Sequence, residues 1–290
     1  MTVQTAATAK ARALAQDSTS LLDAAYGCRA GGLDPVTCAP ILLGQYPGTT
    51  AMQMAVAITL GWCGIISNTN LTSALNAANY SSSDVTAAVT ATLQLTWETN
   101  ATYTNSALPL MPKVHALYQG DLTLLTAGEV VDFLVVSALP GDYTPTPGTL
   151  IGALNNIGVS VQNLSQNPAA TYPDYNCWVS QPISNQSFSQ LIVFESTGQD
   201  APTNIPGILS TLQAYWPNPH QGSEYPYVDI AQPLISTGSA GGNPTDVLTA
   251  LFDSAEGVLS GTYNVGCVMT VIYDQSLVQQ MTTLFNSLNS

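Results

Sequence analysis

Helical periodicity and a few β-rich runs alternate along the chain. The clearest helix is NPTDVLTALFDSAEGVL. Asn243 stands as N-cap, Pro244 at the first helical position and Asp246 in the first turn, and Val247, Leu248, Leu251, Phe252, Ala255, Val258 and Leu259 make one apolar stripe. DQSLVQQMTTLFNSL repeats the pattern through Leu277, Val278, Met281, Leu284, Phe285 and Leu288. SSSDVTAAVTATL opens on a serine cap, and NIPGILSTLQAYW sets Ile208, Leu209, Leu212, Tyr215 and Trp216 on one side. TLIGALNNIGVSVQNL carries its apolar residues at helical spacing. In TAGEVVDFLVVSALPG, Thr126 and Glu129 have capping-box spacing and Pro140 follows the end, which predicts another helix. AMQMAVAITLGWCGII, 51–66, is uncharged but shorter than the ~20 residues of a membrane span, so it predicts a buried core helix.

Two runs read as strands. NVGCVMTVIY alternates Val265, Cys267, Met269, Val271 and Tyr273, and FSQLIVFES is β-rich from Leu191 to Phe194. They are expected to pair. The fold class is therefore α+β and helix-rich, with several amphipathic helices packed on a small sheet. The proline- and glycine-rich segment ALPGDYTPTPG predicts a boundary near 140–148. It would separate a helix-rich N-terminal half, 1–139, from an α+β C-terminal half, 149–290, or else lie within one continuous domain. The first 22 residues read as an amphipathic helix, with no recognisable signal peptide.

Charge changes this picture. Only 8% of the 290 residues are charged, where soluble domains carry roughly 25%. The basic residues are Lys10, Arg12, Arg29 and Lys113, against eighteen carboxylates, for a net charge of −14. A chain so poor in cations has no basic face for nucleic acid or for anionic membranes. Its surface must be solvated by Ser, Thr, Asn and Gln, a composition that resembles extracellular or virion proteins.

No nucleophile elbow, zinc helix, P-loop or dinucleotide fingerprint is present. The glycine loop STGSAGGNPTD, 236–246, precedes a capped helix but no Lys follows it, and it reads as a linker. The two histidines are His115 and His220. His220, with Glu224 and Asp229, is the least unlikely catalytic set, although one histidine and two carboxylates are a thin basis for catalysis or for a metal. The stronger feature of the same stretch is aromatic. Tyr215, Trp216, Tyr225 and Tyr227 among stiffening prolines suit an interface, a ligand contact or plain core.

The five cysteines include one close pair, Cys28 and Cys38, spaced for a disulfide; Cys63 and Cys267 sit in apolar runs and read as buried thiols. Sequons at Asn70, Asn79, Asn100, Asn163 and Asn185 matter only in a secretory compartment.

From the sequence the expected function is a structural or interaction protein rather than an enzyme: a subunit of a self-assembling extracellular or virion assembly. Its partners would be copies of itself or other subunits, with no nucleic acid and no membrane. No cofactor is expected, save cations such as calcium bridging carboxylates. The alternatives are an exported acid-tolerant hydrolase and a pore-forming protein led by 51–66.

Overall fold

The computed structural model describes residues 21–62, 66–104, 113–126, 129–184, 186–216, 227–238, 240–263 and 265–290. The helix expected at the N-terminus falls almost wholly outside them.

Five short helices come first: α1 (Leu21–Ala30), α2 (Pro35–Gln45), α3 (Ala51–Gly61), α4 (Asn68–Ala77) and α5 (Ser82–Thr92). Their starts follow cap chemistry. Asp34, Thr50, Ser67 and Ser81 each accept a backbone N–H of the first turn, and Thr50 with Gln53 closes a full capping box. These helices share one core, in which Cys28, Leu42, Met54, Ile58, Leu71 and Leu75 are fully enclosed. α3 is the buried core helix that 51–66 predicts.

The core changes at residues 93–95. From there the chain builds β1 (Thr96–Tyr103), β2 (Lys113–Gln119), β3 (Val131–Ala138), α6 (Leu150–Asn156), α7 (Val161–Leu164), β4 (Ala170–Tyr172), β5 (Cys177–Val179) and β6 (Phe188–Glu195). It continues with α8 (Ala201–Asn204), α9 (Pro206–Tyr215), β7 (Val228–Pro233), α10 (Pro244–Leu259), β8 (Val265–Ile272) and α11 (Val278–Leu288). The described strands form one mixed sheet in the order β1-β2-β8-β7-β3-β6-β5-β4. β2, β8, β7, β3 and β6 run parallel to one another, β1 is antiparallel to β2, and β5 is antiparallel to both β6 and β4. The fold is α+β, as the periodicity implies, with a sheet far larger than expected. Segment 139–149 links β3 to α6, and strands before and after it are neighbours in that sheet.

Helices cover both faces. α6 and α7 pack Ile151, Leu154 and Val161 on one, against Leu134, Val136 and Leu191. α8 to α11 pack Ile208, Leu251, Phe252 and Phe285 on the other, against Phe133, Val135 and Val268. Strands buried on both faces lose the alternation that marks a half-exposed sheet. β8 is buried at all eight positions and β3 at six of eight.

That double burial accounts for the largest correction. VVDFLVVSA is not a helix but β3, since its β-branched residues favour a pleated, two-sided environment. The Thr126–Glu129 pairing is real, with Thr126 N–H donating to Glu129 Oε2 at 3.1 Å, yet no helix follows. β6 and β8 do not pair, for β7 and β3 lie between them. The single helix expected at 149–164 is two, broken where Gly158 takes φ +87°.

Candidate functional site

In an open parallel sheet, ligands bind beyond the C-terminal ends of the strands, where neighbouring strands send their connections to opposite faces. Here β3 leads into α6 and α7 on one face, while its neighbours β6 and β7 lead into α8 and α10 on the other. By that rule the crevice belongs at the ends of β3, β6 and β7.

Three connections wall it. The first leaves β3 through a tight turn, Leu139-Pro140-Gly141-Asp142, closed by Asp142 N–H to the Leu139 carbonyl at 3.0 Å, with Gly141 at φ +70°. Proline at the second position and a positive-φ glycine at the third are what a type II turn requires. The second connection leaves β6 at Ser196–Asp200. Asp200 Oδ1 accepts Thr197 N–H at 2.9 Å and the hydroxyls of Thr197 and Ser196 at 2.8 and 3.0 Å. The Thr197 hydroxyl foremost holds its carboxyl below the usual carboxylate range.

The third connection is the glycine loop between β7 and α10. Ser236 adopts φ +59° and is buried, its N–H reaching Ser137 Oγ at the end of β3 at 3.4 Å. Gly242 N–H closes back on the Ser236 carbonyl at 2.8 Å, and Gly241 N–H on Gly238 at 3.0 Å. Asn243 Oδ1 then caps Thr245 N–H at 3.0 Å and the 16-residue α10 begins. The N–H groups of Gly238, Ala240 and Asn243 find no acceptor among the described residues. Orphan N–H groups at the start of a long helix attract an anion. In the sequence this loop reads as a plain linker ahead of a capped helix. Only the recognition of VDIAQP as a strand would have exposed the order strand, glycine loop, capped helix.

Of the residues expected to carry function, some are described and some are not. Asp229 stands near the start of β7, at the opposite end of the sheet, with its N–H donating to Asp132 Oδ2 at 2.9 Å. His220, Glu224 and Tyr225 fall outside the described residues. Tyr227 is buried. Tyr215 and Trp216 end α9 and meet Phe133 edge-on, at ring distances of 6.1 and 5.8 Å, and Tyr215 Oη accepts Gln190 Nε2–H at 2.8 Å. These rings serve this chain's own core.

His115 is no catalytic base. It is wholly enclosed between Phe252 and Phe285, Nε2 pairs with Thr270 Oγ1 at 2.9 Å, and Nδ1 has no partner among the described residues. Burial pushes its pKa down to about 3. Lys113 is equally enclosed and donates to the carbonyls of Gly261 and Tyr263 at 2.8 and 2.6 Å beyond the end of α10. Desolvation lowers its pKa, and its ammonium is committed to structure. Among the described residues no three His, Cys, Asp or Glu side chains gather to hold a metal ion. Cys28 and Cys38 are buried thiols in hydrogen-bond contact with each other.

No family model matches the chain, and no curated protein does. Among solved structures it is similar to macrodomains. One, from Oceanobacillus iheyensis with MES bound, is 13% identical with a TM-score of 0.47, over 66% of this chain and 96% of that one. A Trypanosoma brucei macrodomain in complex with ADP is 11% identical at TM-score 0.45, over 59% and 68% of the two chains. The T. brucei protein with ADP-ribose is 12% identical at 0.45, over 64% and 72%. These values concern the fold and nothing finer.

The functional expectation of a subunit of a self-assembling extracellular or virion assembly is corrected on the chain's own packing: of the rings that suggested a contact surface, Tyr215 and Trp216 pack against Phe133 and Tyr227 is buried. The pore-forming alternative is led by 51–66. Its lead segment forms an 11-residue helix packed in a core, and among the described residues no helix is long and apolar enough to cross a membrane.

Proposed function

We propose that this chain binds a nucleotide-type anion, of the ADP or ADP-ribose class, in the crevice beyond β3, β6 and β7. The observation that carries the reading is the glycine loop after β7, where the N–H groups of Gly238, Ala240 and Asn243 have no acceptor among the described residues and stand at a topological switch point and near the head of a 16-residue helix. The ligand's phosphates would lie on that loop, and its remainder would extend along the 139–149 connection.

The charge distribution shapes how such binding behaves. No Lys or Arg follows Lys113, so the elements around the loop offer an anion backbone dipoles rather than ion pairs. Asp246, exposed in the first turn of α10, and the net charge of −14 both oppose it. Added salt screens that repulsion while leaving short N–H contacts intact. Affinity should therefore hold or rise with ionic strength, the reverse of a site built on Lys and Arg.

Calorimetric titration with ADP-ribose, ADP and adenosine at low and high salt tests this. The two diphosphates should bind more tightly than adenosine, and ligand at a hundredfold excess over Kd should stabilise the fold by about 2.7 kcal/mol. An absence of heat and of thermal stabilisation at millimolar ligand would defeat the proposal.

A further inference from the structure

Segment 139–149 is the wall of the crevice that leaves the switch-point strand, and it is mostly exposed. Its hydrogen bonds are largely internal: Asp142 N–H to Leu139, Thr144 N–H to Asp142 Oδ1 at 3.0 Å, and Thr149 N–H to Thr146. Among the described residues, only two side chains hydrogen-bond it to the rest of the protein. Glu195, the last residue of β6, accepts Gly141 N–H at 3.0 Å and the Tyr143 hydroxyl at 2.5 Å, both on Oε1. Trp178 on β5 donates Nε1–H to the same Tyr143 oxygen at 3.2 Å, and the two rings meet edge-on at 5.6 Å.

We propose that Glu195 is a positioning residue, latching the Pro140–Gly141 turn and Tyr143 to the end of β6 and so setting the width of the nucleotide crevice. The inference rests on the binding reading above. Its physical basis is independent of it, since a hydroxyl donating to a carboxylate at this distance is among the stronger hydrogen bonds in proteins. Pro140 restricts the turn, which leaves few backbone freedoms for the latch to freeze. Tyr143 keeps its proton throughout the physiological range, for burial and then the neighbouring Glu195 push its pKa up to about 12. Gly152 completes the arrangement on the far side. A Cβ there would stand 2.2 Å from the Thr146 carbonyl oxygen, so only glycine lets α6 receive the loop.

A purely structural role and a positioning role separate experimentally. Glu195→Gln and Tyr143→Phe are compared with the unmodified chain by amide hydrogen exchange over 139–149, by urea unfolding and by ADP-ribose titration. Glu195→Gln should speed exchange at Gly141 to Tyr143 by about tenfold or more, and weaken ADP-ribose binding by about tenfold, with little change in the urea midpoint. Tyr143→Phe should show the same direction with a smaller effect, because the Gly141 bond remains. Exchange unchanged in both variants overturns the latch, as does faster exchange with undiminished ADP-ribose affinity. If the unmodified chain binds no ADP-ribose, the nucleotide reading falls; faster exchange in Glu195→Gln then still supports the latch, and unaltered exchange overturns it.

Discussion

Gly198 and Ala240 meet backbone to backbone, joining the connection after β6 to the glycine loop after β7. Gly198 sits at φ +89°, and a Cβ there would lie 2.1 Å from the Ala240 carbonyl oxygen. Both the positive φ and the close approach demand glycine. Gly198→Ala should therefore cost about 2 kcal/mol or more in urea unfolding and weaken ADP-ribose binding. Gly238, in the same loop, has open space at its Cβ position. Gly238→Ala should leave stability within about 0.5 kcal/mol. Equal effects of the two substitutions would refute the packing argument.

Glu129 ties the helical segment to the sheet. Its buried carboxylate accepts Gln94 N–H at 2.9 Å and Leu95 N–H at 2.6 Å through Oε1, and Thr126 N–H through Oε2. Desolvation outweighs these bonds and raises its pKa above the ordinary 4.5. The folded state then holds the proton more tightly than the unfolded one, so stability falls as pH climbs from 4.5 to the raised value and is level beyond it. Glu129→Gln should remove that slope. Glu129→Ala, which leaves three N–H groups without their acceptor, should cost about 3 kcal/mol or more. Urea midpoints measured from about pH 4 to about pH 8 decide both.

His115 predicts the opposite slope. Its folded pKa is pushed from 6.5 down to about 3 by burial, so the unfolded chain takes up a proton that the folded chain refuses. Stability present above pH 6.5 is lost progressively toward pH 3, at about 1.4 kcal/mol per pH unit from this group. His115→Met should flatten the acid limb of the stability profile. An unchanged acid limb in that variant would rule His115 out as its source.

Cys28 and Cys38 offer a covalent tie between α1 and α2. Their thiols touch inside the helical core, where burial and then the mutual hydrogen bond raise the Cys38 pKa well above that of an ordinary thiol. We propose that refolding with glutathione disulfide joins them, each sulfur giving up one hydrogen as two glutathione thiols are released. The bond should stabilise the chain by about 3 kcal/mol. Mass spectrometry of the unfolded product after alkylation should find this pair protected, and Cys28→Ser should abolish both protection and stabilisation. Alkylation of both residues in the oxidised protein would dispose of the tie.

Cap chemistry and helical stripes were legible in the linear chain. Asn243, Pro244 and the run Val247 to Leu259 mark α10 as surely in the sequence as in space, because a helix satisfies its own backbone and needs only one apolar face. The scarcity of cations was equally legible, with four Lys and Arg residues against eighteen carboxylates. The central strands were not. β3 takes its hydrogen-bond partners from residues near 190 and 230, and burial on both faces erases the period that would have announced it. With β3 read as a helix, Ser137, Glu195, Gly198 and the 236–243 loop had no reason to be neighbours. Their meeting depends on strand order and on which face each connection takes, and those are settled by long-range pairing, which local sequence does not encode.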